Sequence, residues 1–131
     1  NWYAVKDAKG LAPLGYHIPT DAEWTTLVNN CLGGESVAGG SMKSTREGVA
    51  VGEWYPPNEG ATNSSGFSAI PAGYCLNNGG FERIGSNVHW WTTTETTSAD
   101  AWSRDVNYNG ENVYRNYTTK TYGFSVRLLK D

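Results

Sequence analysis

The chain has little of what several large functional classes need. Its ten Lys and Arg residues are scattered rather than clustered and are outnumbered by thirteen Asp and Glu. A formal charge of −3 and a pI near 5.3 argue against a nucleic-acid or anionic-membrane surface, so neither partner is expected. No run approaches the roughly 20 apolar residues of a membrane span, and no basic start leads into an apolar segment. His17 and His89 are the only histidines, Cys31 and Cys75 the only cysteines, and neither cysteine lies in a Cys-x-x-Cys spacing or near a histidine in sequence. That is a poor metal or redox set. No internal repeat is visible.

What is present describes one loop-rich domain. The 131 residues can bury one substantial core but not two. Sixteen Gly with a single Met, and abundant Thr, Asn, Tyr and Trp, predict some strand and little helix. The best-defined stretch runs from Gly15 to Leu27. Thr20 and Glu23 have the spacing of a capping box, so a helix should start at Asp21. Trp24, Leu27, Val28 and Cys31 then form one apolar stripe, with Gly33-Gly34 as the stop and Pro19 stapled on Trp24.

Elsewhere the pattern is weaker. Trp2 to Val5 reads as a short strand. Ser36 to Thr45 reads as a poorer helix whose Gly39-Gly40 costs about 1 kcal/mol per Gly against Ala, which close packing would justify. From Arg46 to Ser86 there is no sustained periodicity, and a loop region of that length is usually functional. Ala101 to Tyr108 alternates, placing Trp102, Arg104, Val106 and Tyr108 on one face and Ser103, Asp105 and Asn107 on the other. Asn109-Gly110 is a hairpin signal, and Glu111 to Tyr117 would return with Val113, Arg115 and Tyr117 on the face of Trp102. A two-residue turn would set Arg104 opposite Arg115, so either a carboxylate such as Glu95 lies between them or the register slides by two. Tyr122 to Leu129 closes the sheet, with Phe124, Val126 and Leu128 inward and Ser125 and Arg127 outward.

Several motifs together carry a resemblance: Asn1 to Val5, Gly15 to Trp24, Gly60 to Ala69, Trp90-Trp91, Ala101-Trp102, Asn112 to Arg115, and Tyr122 to Arg127. In these the chain resembles the Fibrobacter succinogenes major paralogous domain family (FISUMP), which is related to the C-type-lectin-like and formylglycine-generating-enzyme folds. The resemblance implies an α+β, C-type-lectin-like fold. One or two helices would pack on a small twisted antiparallel sheet with a long irregular loop region, and the N- and C-terminal strands would pair. It also implies a single domain over 1–131, excised from a larger exported bacterial protein. In such a setting Cys31 and Cys75 would form one structural disulfide, closing a loop of about 45 residues and worth roughly 4 kcal/mol in the chain-entropy model. Two buried free thiols are the alternative.

Catalysis is not expected. The formylglycine-generating relatives use two cysteines near their C-terminal end, and this chain has none after Cys75. His17 reads as structural, and His89 could line a pocket but is tied to no nucleophile. Glu53, Glu59, Glu82 and Glu95 stand in no pattern that selects a glycosidase pair. No cofactor is expected. A structural calcium on Asn58, Glu59, Asn63 and carbonyls would at most brace the long loop, since Trp91-Thr92-Thr93 lacks the carboxylate that calcium-dependent lectins carry there.

Binding is the better-supported use. Six Trp, eight Tyr and three Phe exceed the needs of one small core. Trp2, Trp24, Trp102, Phe67 and Phe124 are assigned to it. Trp54, Tyr55, Tyr74, Trp90, Trp91, Tyr108, Asn109, Tyr114, Arg115 and Tyr117 are the ligand-binding candidates, with only one of Trp90 and Trp91 exposed. The leading expectation is a non-catalytic lectin-like domain of a secreted or cell-surface protein that binds polysaccharide or glycan. A protein receptor is the second, as for adhesins or the variable proteins of diversity-generating retroelements. The third is a structural module without ligand.

Overall fold

The capping box forms as expected. Thr20 Oγ1 accepts from the Glu23 amide at 3.2 Å and the Thr20 amide donates to Glu23 Oε2 at 2.7 Å. In the computed structural model, which describes Asn1–Asp131, helix α2 therefore runs Asp21–Thr26. A π-helical turn, Leu27–Cys31, continues it. Trp24 and Val28 are buried, but Cys31 is exposed. The wider turn advances less per residue, so the fourth member of the stripe does not return beneath Trp24. Cys75 lies in strand β2 (Tyr74–Cys75), where it bridges Gly123. Both thiols are free, and the expected disulfide is absent.

Trp2–Val5 is not a strand but a short helix, α1. The i, i+3 spacing of Trp2 and Val5 turns both inward, and the Trp2 indole donates to Thr92 O at 2.8 Å. The partner of the C-terminal strand β7 (Leu129–Lys130) is consequently β1 (Tyr16–His17), not the chain start. His17 ties this end down, its ring 2.9 Å from Glu23 and 2.6 Å from Asp131.

Helix α3 (Ala38–Met42) contains Gly39 and Gly40, and close packing is their reason. A Cβ on Gly39 would stand 2.5 Å from Asn112 O, and one on Gly40 2.5 Å from Gly60 O. Between α3 and Ser86 the chain is largely irregular, apart from a two-rung ladder of β2 with β3 (Phe81–Glu82).

The rest is an antiparallel sheet in the order β4 (Asn87–Glu95), β5 (Asp100–Asn107), β6 (Tyr114–Thr119). The molecule is thus a small α+β domain with few helices and small antiparallel sheets. Both faces of β4 and β5 are covered. On one side Val88, Trp90 and Val106 pack with Trp24, Val28, Met42 and Trp54. On the other Trp91 and Ala101 pack with Trp2, Val5 and Ile18, under Tyr122, Phe124 and Val126. Trp90 and Trp91 point opposite ways, and each meets a cover: Trp24 at 5.6 Å and Phe124 at 4.3 Å between ring centroids.

Between Tyr122 and Leu128 the last segment makes only isolated bridges, Gly123 to Cys75 and Ser125 to Trp90, so simple alternation fails there. Leu128 is exposed, while Arg127 lies over the Phe67 ring and donates to Phe67 O. Arg104 does face Arg115 in the register. The intervening carboxylate is Asp21, 2.6 Å from Arg104 Nη1 and 2.9 Å from Arg115 Nη2. Glu95 instead binds Lys120 at 2.8 Å. The β5–β6 connection is not a tight two-residue turn: neither Asn109 nor Gly110 has positive φ, and paired rungs stop at Asp105–Tyr114.

Candidate functional site

Strand register brings together on one face side chains that lie far apart in sequence. Asn87 pairs with Asn107, His89 with Asp105, Asp105 with Tyr114, and Ser103 with Asn116. Where the cover of Tyr122 and Phe124 ends, this face opens into a cavity of about 610 Å³. Asn87, His89, Asn107 and Thr118 line its sheet side, and the rings of Tyr74, Tyr108, Tyr122 and Phe124 wall it. Ser86, Arg83 and Asn109 complete the lining.

The floor is polar and under-satisfied. Asn87 Oδ1 and both ring nitrogens of His89 are buried without a hydrogen-bond partner. His89 is held between rings, stacked on Phe124 at 4.7 Å and edge-on to Tyr74 at 5.1 Å. Burial pushes its pKa down to about 4, so it is neutral at physiological pH. Asp105 lies beneath, its Oδ1 3.9 Å from His89 Nδ1, beyond hydrogen-bond reach. Burial pushes Asp105 up to about 6, against the opposing pull of two amides. Asn116 Nδ2 donates to it at 2.7 Å and Asn107 Nδ2 at 3.4 Å. With its NH₂ turned to the carboxylate, Asn107 has its Oδ1 free to accept. Asn87 adds a second carbonyl, so the floor favours ligand groups that donate hydrogen bonds.

The sequence-derived candidates divide. Tyr74, Tyr108 and Asn109 line the cavity. Tyr114 is exposed at its flank, on the rung of Asp105. Tyr55 is exposed outside the lining, its ring against Gly85. Arg115 and Tyr117 occupy the opposite sheet face, where the Arg115 guanidinium stacks over half-buried Trp102 at 3.4 Å and Tyr117 meets that ring edge-on at 5.8 Å. Trp54, Trp90 and Trp91 have no exposed ring: they are 0%, 3% and 1% exposed because the long loop and the C-terminal segment fold over them. Trp54 also donates through its indole to Ala69 O.

Sequence reasoning missed Asn87, Asn107, Asp105 and Asn116. The alternation that puts Asp105 and Asn107 on one face of β5 was legible, but what shares that face appears only when the register assembles it. No three His, Cys, Asp or Glu side chains gather as a metal set. At the long loop a lysine does the bracing considered for calcium: buried Lys43 donates through Nζ to Glu59 O, Asn107 O and Gly110 O at 2.7, 3.0 and 2.9 Å.

No curated protein and no solved structure matches the chain. A family profile does, over residues 1–130, the span that holds the helix cap, the sheet and the cavity. The chain therefore belongs to the Fibrobacter succinogenes major domain family (Fib_succ_major).

Proposed function

We propose that this is a non-catalytic, lectin-like carbohydrate-binding domain of a secreted or cell-surface bacterial protein, with its site in the sheet cavity. We read the fold as C-type-lectin-like. The observation that carries the binding site is the floor: a buried amide oxygen and two buried imidazole nitrogens with no partner, walled by tyrosine rings. Sugar hydroxyls donate to the amide oxygen and to the unprotonated imidazole nitrogen and accept from the imidazole N–H, while C–H faces lie on aromatic rings. Unpaired buried polar atoms are costly, and a ligand that pairs them relieves that cost.

The test is retention on immobilised cellulose, xylan, mannan and pectin. His89→Ala, Asn87→Ala and Tyr74→Ala should each weaken retention by about tenfold, the worth of one or two hydrogen bonds, and Asn87→Ala, which removes no packed ring, should do so with little change in Tm. Tyr117→Ala, on the opposite face, should leave it unchanged. Failure of all four glycans to bind would remove the reading as stated.

A second reading has its own observation. Exposed Arg115 and Tyr117 pack on half-buried Trp102 in a cluster pre-set by Asp21, and these three residue types dominate the energetics of protein interfaces. If glycans fail and Tyr117→Ala weakens capture of a protein receptor, the domain binds protein.

A further inference from the structure

The chain contains two Asn-Gly pairs, Asn78-Gly79 and Asn109-Gly110, and their surroundings differ. An Asn-Gly pair can react with itself: the glycine amide nitrogen attacks the asparagine Cγ, the new C–N bond closes a succinimide ring, and ammonia leaves. Water then opens the ring to aspartate or isoaspartate. The glycine nitrogen must be free to attack and the carboxamide free to swing.

Both requirements are blocked at the first pair. Gly79 N donates to Leu76 O at 3.0 Å, and Asn78 Oδ1 accepts from Gly80 N at 2.9 Å. Neither restraint exists at the second. Gly110 N makes no hydrogen bond, the Asn109 side chain makes none, and Asn109 is exposed at the cavity mouth. Only the Gly110 carbonyl is held, by Lys43, and that leaves the nitrogen open.

We propose that Asn109 is a spontaneous modification site, converting to aspartate and isoaspartate and adding one negative charge at the mouth of the cavity while Asn78 stays intact. Two hydrogen bonds must break before Asn78 reacts, which at their usual strength slows it about 30-fold relative to Asn109. Isoaspartate also lengthens the main chain by one carbon beside the Lys43 clasp.

The folded domain, incubated at mildly alkaline pH, is sampled over time by peptide mass spectrometry, isoelectric focusing and enzymatic methylation of isoaspartate. The expected result is an acidic band, methylatable isoaspartate and mass gain confined to the Asn109 peptide. Gly110→Ala should slow all three by about tenfold or more, because a methyl group hinders the attack. The fold tolerates that change: φ is not positive and the nearest atom to the new Cβ is Asn112 Oδ1 at 3.9 Å. In urea, where the restraints vanish, both peptides should convert at similar rates. Conversion of Asn78 at the rate of Asn109 in the folded domain, or a stable Asn109 there, would overturn the proposal. None of these readouts depends on a ligand.

Discussion

His89 and Asp105 are both displaced by the same cause, burial, but in directions that oppose each other in pH. The folded His89 pKa of about 4 lies below its ordinary 6.5, so its contribution to stability is present above 6.5 and lost as pH falls through 4. Asp105, at about 6 against an ordinary 3.8, contributes below 3.8 and loses that contribution as pH rises through 6. Each amounts to about 3 kcal/mol by the free-energy value of a pKa unit, and in the parent they nearly cancel. Single substitutions should expose them. Relative to the parent, Asp105→Asn should be more stable at pH 7 than at pH 4.5, and His89→Gln the reverse. Urea unfolding at the two pH values measures this, and shifts of the same sign in both variants would refute it.

At the scale of elements, Asp21 joins the first turn of α2 to β5 and β6. Burial opposes its ionisation, yet the hydrogen bonds from Arg115 and Arg104 outweigh that and keep its carboxyl below the ordinary range. Arg104 is 2% exposed, so its charge has little water to turn to. Asp21→Asn should cost about 3–5 kcal/mol, the penalty for stranding a buried charge. Arg115→Ala, which removes a half-exposed partner, should cost about 1 kcal/mol or less. Thermal or chemical unfolding distinguishes the two, and equal costs would show that Arg104 does not depend on the carboxylate. The sequence left two ways to relieve the facing arginines, an acidic group between them or a shifted register, and the structure uses the first. The sequence could not say which acidic group, because Asp21 and Arg104 are 83 residues apart and meet only when α2 lies on the sheet.

Taken whole, the molecule holds its irregular middle with a buried cation rather than a cross-link. Lys43 is fully buried, and desolvation pushes its pKa down to about 8, partly offset by Glu111 and Glu59. Its ammonium gathers carbonyls from the long loop and from both sides of the β5–β6 connection, over the ring of Trp54. Lys43→Met keeps the stem but leaves three carbonyls without a donor, so it should destabilise the domain by at least about 3 kcal/mol. It should also raise amide exchange across 107–113 before global unfolding. Unchanged exchange there would show that the clasp is not what holds the connection.

By itself the sequence determined what short range decides. Thr20, Glu23 and the Trp24/Val28 stripe lie within eight residues of one another, so the cap and inward face of α2 follow from local hydrogen bonds and helical spacing. The same holds for the β5 alternation. Tertiary structure decided which faces are covered. Trp54, Trp90 and Trp91 read as binding candidates until distant segments close over them, and the face of Asp105 and Asn107 has no assigned cover until β4, β6 and the C-terminal segment enclose it. Burial is a property of what arrives from elsewhere in the chain, and no window along the sequence contains it.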